Sequence, residues 1–143
     1  MKPESNLGGL LGKASRLLAN DLNTTLKAHG LTVEQWTLLA VLWEQDALKQ
    51  KELQVALLKD KATINSLVSY LVKNGFVHKT QDEVDRRSFI ITLSEQGRAM
   101  QSLTIPFAMQ SITKATDGID KEALQVASKV LHQLINNLTK ERS

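Results

Sequence analysis

Apolar residues recur at steps of three and four in segment after segment, while strand-forming residues occupy only one pair of short runs. Together these predict a mainly α fold interrupted by a single β-hairpin. Breakers fall where that reading needs them: Gly30, Asn74-Gly75 and Asp117-Gly118 each follow a predicted helix. The expected order is α-α-α-α-β-hairpin-α-α.

The first helix is carried by Leu7, Leu10, Leu11, Ala14, Leu17, Leu18, Leu22 and Leu26, and should run to about His29, where Gly30 stops it. Thr32 to Gln35 reads as a capping box, since the Thr32 hydroxyl and the Gln35 side chain can satisfy each other's backbone N–H. A second helix follows through Trp36, Leu39, Leu42 and Trp43, both tryptophans fitting core positions. Lys49 to Leu58 predicts a short third helix around Leu53, Val55 and Leu57. Asp60 caps a fourth, in which Ile64, Leu67, Val68 and Leu71 form a narrow buried stripe. Phe76 to Thr80 and Ser88 to Leu93 are β-branched and aromatic, and the polar stretch between them can reverse the chain. Ser94 caps a fifth helix that carries Met100, Leu103, Phe107 and Ile112, and Pro106 should kink it or divide it. Asp120 starts a last helix, where Leu124, Ala127, Leu131, Leu134 and Leu138 follow a three-four-three-four repeat.

Net charge is only +3, but its placement is uneven. Residues 49 to 98 hold nine basic side chains against six acids, while the remainder balances nine against nine. The whole surplus lies in the middle third, as expected of a segment that meets phosphate. The chain contains no cysteine, which removes thiol nucleophiles, thiolate metal sites, disulfides and cysteine redox sensing together. His29, His78 and His132 lie in different elements without partners at ligand spacing, so no metal site and no cofactor is expected. No stretch approaches a membrane span and the N-terminus lacks a signal-peptide core, which makes a cytoplasmic protein the default expectation.

Two short helices joined by a tight turn, the second with a polar outer face and followed at once by a hairpin, make a winged helix-turn-helix. One helix of such a unit fits a major groove, and an arginine-bearing arm can follow the backbone or enter the minor groove. "LTVEQWTLLAVL", "KDKATINSLVSYLVKNGFV" and above all "DRRSFIITLSEQGRAM" carry a closer likeness. Through them the chain resembles the MarR family of bacterial transcriptional regulators, whose wing signature is matched here by Asp85, Arg87, Leu93, Ser94 and Gly97.

The resemblance implies a homodimer, with residues 1–30 and 95–143 as dimerisation helices and 31–94 as the winged DNA-binding region. Leu7, Leu10, Leu11, Leu124, Leu131, Leu134 and Leu138 would form the dimer contact. The partner would be double-stranded DNA with a pseudo-palindromic operator, bound by a repressor that a small, aromatic, anionic effector releases. No effector site is assigned, although Arg16, His29, Trp36 and Trp43 are of the type that lines such a cleft. The expected DNA-binding residues are Lys51, Lys61, Thr63, Asn65, Ser66, Tyr70, Arg86 and Arg87, with Asp85 steadying Arg87. Lys51 and Lys61 lie near helix N-termini, where phosphate would relieve an unfavourable cation.

The chain departs from the family pattern in places. Ser66 stands where many relatives carry arginine, Lys49 where the helix cap is often Ser or Thr, and Leu58 where the turn commonly has glycine. On charge alone, Arg86 and Arg87 read as a solvated hairpin tip; the strand and the Ser94 to Gly97 context favour DNA. A winged-helix module that binds proteins and lacks specific DNA binding is the alternative, to which Ser66 lends some support. An enzyme is not expected, for no nucleophile, base and carboxylate constellation stands out.

Overall fold

Sixteen apolar side chains, from Leu22 to Met100, form one buried cluster, and the elements are arranged around it. In the computed structural model, which describes residues 2–140, the chain divides into two units, Met1–Ser111 and Ile112–Ser143. Helix α1 covers Pro3–Leu26 and passes into a 3-10 turn at Lys27–His29, ended by Gly30 at φ 75°. The helix α2 covers Val33–Glu44, with the capping box formed: Gln35 N–H donates to Thr32 Oγ1 at 3.3 Å and Thr32 N–H to Gln35 Oε1 at 2.9 Å. Next come a two-residue strand β1 (Leu48–Lys49), α3 (Gln50–Leu57), α4 (Lys61–Lys73) and the strands β2 (Val77–Gln81) and β3 (Phe89–Leu93).

The sheet is antiparallel with order β1-β3-β2. Leu48 pairs with Ile91 and Lys49 with Ile90, which ties the start of α3 to the wing hairpin. That third strand was not expected, because two residues give no alternation to detect. Helix α3 also differs from expectation: Leu53 is buried, but Val55 is 73% exposed. Eight residues offer the core one narrow face, shared by Leu53 and the half-buried Leu57 four residues on.

Helix α5 runs unbroken over Glu95–Ala115, so Pro106 does not divide it. Anchors on both sides hold it as a helix. Trp36 Nε1 donates to Thr104 Oγ1 at 2.7 Å and Trp43 Nε1 to the Gly97 carbonyl at 2.9 Å, while Ser111 Oγ donates to Asp21 Oδ2 at 2.7 Å. These contacts outweigh the one backbone hydrogen bond that proline forfeits. Both tryptophans are therefore ties between α2 and α5, with their rings edge to face at 5.8 Å.

The N-terminal end of α5 rests on a close backbone approach. Ser94 Oγ donates to the Gly75 carbonyl at 2.6 Å and accepts the Gly97 N–H at 3.0 Å, and Ser94 N–H donates to the Phe76 carbonyl. A Cβ on Gly97 would lie 2.0 Å from that same carbonyl oxygen. The Leu-Ser-x-x-Gly run is thus a joint between α4, the sheet and α5.

In the second unit, α6 covers Lys121–Lys140 after a turn with Gly118 at φ 77°, and none of its side chains is buried. Val126, Val130, Leu131, Ile135 and Leu138 are 41–60% exposed. Near the other end of the chain, Leu7, Leu10 and Leu17 of α1 are 39–61% exposed. Among the described residues, no helix is long and apolar enough to cross a membrane.

Candidate nucleic-acid interface

Asp60 begins α4 as its N-cap, its Oδ1 accepting the Thr63 N–H at 2.8 Å. The capping bonds from Thr63 hold the Asp60 carboxyl below the ordinary carboxylate value, and Lys59 adds to this. The turn before it takes an unfavourable form: Leu58 sits at φ 54°, ψ 43°, a left-handed conformation that glycine would adopt without steric cost. Ile64, Val68 and Leu71 turn into the core, leaving Lys61, Asn65 and Ser66 exposed. Helix α3 starts without a side-chain acceptor at Lys49, and Glu52 supplies the compensating bond, accepting the Lys49 N–H at 3.0 Å.

The wing is built on two aspartates. Asp82 is 9% exposed; its Oδ1 accepts the Val84 N–H at 3.1 Å and its Oδ2 lies 3.5 Å from Lys49 Nζ. This ion pair bridges β2's end to the start of α3. Asp85 Oδ1 accepts the Arg87 N–H at 3.2 Å and sits 3.5 Å from Arg87 Nε, and Oδ2 accepts the Ser88 hydroxyl at 3.0 Å. The Arg87 backbone N–H, then the Ser88 hydroxyl, keep the Asp85 carboxyl below its ordinary value. The Arg87 side chain itself is 94% exposed, so the pair adds little stability and serves to aim a solvated guanidinium.

Between α3, α4 and the wing lies an open groove of about 560 Å³. Lys51, Lys61, Asn65, Asp85 and Arg87, all expected from sequence, line it. So do Lys49, Gln50, Gln54, Lys79, Ser88 and Phe89. Five cations and one carboxylate thus face one concavity, whose carboxylate is already engaged by Arg87 and Ser88. Lys79 Nζ stands 4.5 Å over the Phe89 ring, which holds that ammonium toward the groove side of the sheet.

Thr63, Ser66, Tyr70 and Arg86 do not line the groove. Thr63 is engaged with the cap and half-buried, Ser66 and Arg86 are exposed, and the Arg86 carbonyl accepts Gln81 Nε2 at 2.6 Å. Tyr70 donates its hydroxyl to the Gly30 carbonyl and packs against the core cluster. Sequence reasoning did not single out Gln50, Gln54 or Lys79 as site residues, and it treated Lys49 only as a poor cap. Strand β1 explains Lys49 and Gln50, since its pairing with β3 brings the α3 start beside the wing. Alternation could not have found Lys79, since two residues after buried Val77 it falls on the same face of β2. Among the described residues, no cluster of three or more His, Asp or Glu could hold a metal.

The MarR family model matches residues 31–89, from the capping box of α2 into β3. The organic hydroperoxide resistance transcriptional regulator of Bacillus subtilis is 29% identical over 139 residues, covering 93% of this chain and 94% of its own. A solved MarR protein from Peptoclostridium difficile superposes with a TM-score of 0.91 at 29% identity, over 99% of this chain and 93% of that one. A MarR-type chain from Listeria monocytogenes, complexed with 26mer DNA, superposes with a TM-score of 0.83. Its identity is 22%, over 92% of this chain and 87% of that one, so this last likeness is one of fold. The matched motifs, the joint at Gly97 and the superposition over 99% of the chain agree: residues 31–89 match the MarR family model, and the chain is similar along its length to transcriptional regulators of that type.

Proposed function

We propose that the protein acts as a homodimer on a pseudo-palindromic operator, docking through phosphate contacts, laying α4 of each subunit in successive major grooves and clamping with the two wings. One observation carries this reading: Lys49, Lys51, Lys61, Lys79 and Arg87 converge on one open groove together with the amides of Gln50, Gln54 and Asn65. Cations supply sequence-independent affinity, and amides can read base edges. Arg87, aimed by Asp85, extends toward the minor groove; Arg86, Ser66 and Thr63 flank the contact, and Tyr70 serves it indirectly by fixing α4 to Gly30. Half-sites then lie roughly 10 base pairs apart, one helical turn.

Dimerisation is supported by the uncovered apolar stripes. Leu7, Leu10 and Leu17 on α1 and Leu131 and Leu138 on α6 stand exposed in the single chain, and a second copy would cover such apolar side chains. Residues 1–30 and 95–143 accordingly form the dimer contact, with Leu7, Leu10, Leu11, Leu124, Leu131, Leu134 and Leu138 in it. Repression relieved by a small aromatic anion belongs to the same reading and rests on likeness to the family. The 143 residues hold no cysteine, so such a signal does not act through a thiol of this chain.

Fluorescence anisotropy of a labelled fragment from upstream of the protein's own gene, against random DNA over several salt concentrations, tests the proposal. Saturable binding that exceeds random DNA and falls steeply with salt supports it. Equal, weak binding to both fragments and to a pool of genomic DNA would instead favour a winged-helix module for a protein partner.

A further inference from the structure

We infer that Gln50 and Asn65 act as one base-reading unit and that this unit selects adenine; the inference deepens the operator-binding reading above and rests on it. Gln50 is the first residue of α3 and Asn65 lies one turn into α4, yet Gln50 Nε2 donates directly to Asn65 Oδ1. Both line the cationic groove, Asn65 exposed and Gln50 half-buried.

The bond fixes the chemistry presented to a ligand. A free asparagine amide can turn either its oxygen or its nitrogen to a base, and it loses that freedom on binding. With Oδ1 committed to Gln50, Asn65 offers the N–H groups of Nδ2. Gln50, with one Nε2 N–H spent on that bond, keeps its acceptor Oε1 for a ligand. The couple therefore presents a donor and an acceptor. In the major groove adenine shows the complement, an N7 acceptor beside an N6 donor, whereas guanine shows two acceptors. Guanine O6 would face Gln50 Oε1 with no proton between them. Cytosine and thymine each offer a single group of one kind at that edge, satisfying only half of the couple.

Lys49, Lys51 and Lys61 surround the pair and supply affinity that does not depend on sequence.

The test uses the full chain. Wild-type protein first selects its preferred sites from a random duplex library, and each position of the selected half-site is then substituted in turn. The wild type is expected to lose about tenfold in affinity when one particular A·T pair becomes G·C. Gln50→Met, which keeps length and helix propensity but removes the amide, should flatten that preference to within about twofold. Asn65→Ala should do the same at the same position, and the double variant should discriminate no less than either single one. Circular dichroism identical to wild type confirms that each variant is folded. Retention of the A·T preference by Gln50→Met, or loss of preference at two different positions by the two variants, would overturn the coupling. Failure of the wild type to enrich any sequence would overturn the DNA-binding proposal beneath it, and this inference with it.

Discussion

Gly97 occupies a place where no side chain fits, because its α carbon is pressed against the Phe76 carbonyl. Gly97→Ala should cost about 3 kcal/mol in urea unfolding, since backbone on both sides must shift. Leu58 is the opposite case: its left-handed backbone and 64% exposure make it a strained residue with little packing to lose. Leu58→Gly should stabilise the protein by about 1 kcal/mol, visible as a higher urea midpoint with an unchanged slope. Asp60 and Asp85 both ionise more readily in the fold than an ordinary aspartate, because each carboxylate accepts capping or turn hydrogen bonds. Their folded values are depressed, so their contribution is fully present above about pH 4 and is lost as pH falls through the folded values. Acid unfolding of Asp60→Asn, which can still cap but does not titrate at that position, should show a shallower loss below about pH 4 than wild type.

At the scale of elements, the sequence was most legible where one residue type performs a local task. The Thr32 and Gln35 box, the Asp60 cap, Gly30, Gly75 and the Ser94 cap all sit where their side chains or their freedom of φ require. What escaped notice depends on distant contacts. Strand β1 exists because Leu48 and Lys49 meet Ile91 and Ile90, and no local pattern announces it. Pro106 misled for the same reason, since the bonds that hold α5 come from Trp36 and Asp21, far away in sequence. Tyr70 looked like a base reader on an outward face; its hydroxyl instead bonds Gly30, forty residues earlier. Tyr70→Phe should cost about 1 kcal/mol of stability. It should leave affinity for DNA within about twofold of wild type.

For the whole molecule, the groove residues legible from sequence were those on the helix N-termini and the wing, where cations are conspicuous. Asn65 was expected from its place on α4, whereas Gln50, Gln54 and Lys79 were visible only once three elements came together. The proposed operator contact needs two copies of the chain. Leu131→Glu combined with Leu138→Glu, placed on α6 where nothing is buried, should leave the helical content intact. Sedimentation should then report a monomer, and operator affinity should fall by at least tenfold because the two half-sites are no longer engaged together. A dimer of unchanged stability would show that α6 does not hold the copies together.

The central claim, that the wing and α4 form one DNA-binding surface, is tested most directly by operator affinity as a function of salt for wild type, Arg87→Ala and Arg86→Ala. Arg87→Ala should weaken binding about tenfold or more, with no change in circular dichroism, because it removes a guanidinium that Asp85 already holds in position. Arg86→Ala should cost only a few-fold and lower the slope of log affinity against log salt by about one, as loss of a single phosphate contact does. Wild-type affinity and an unchanged salt slope for Arg87→Ala would contradict the assignment of the wing to DNA.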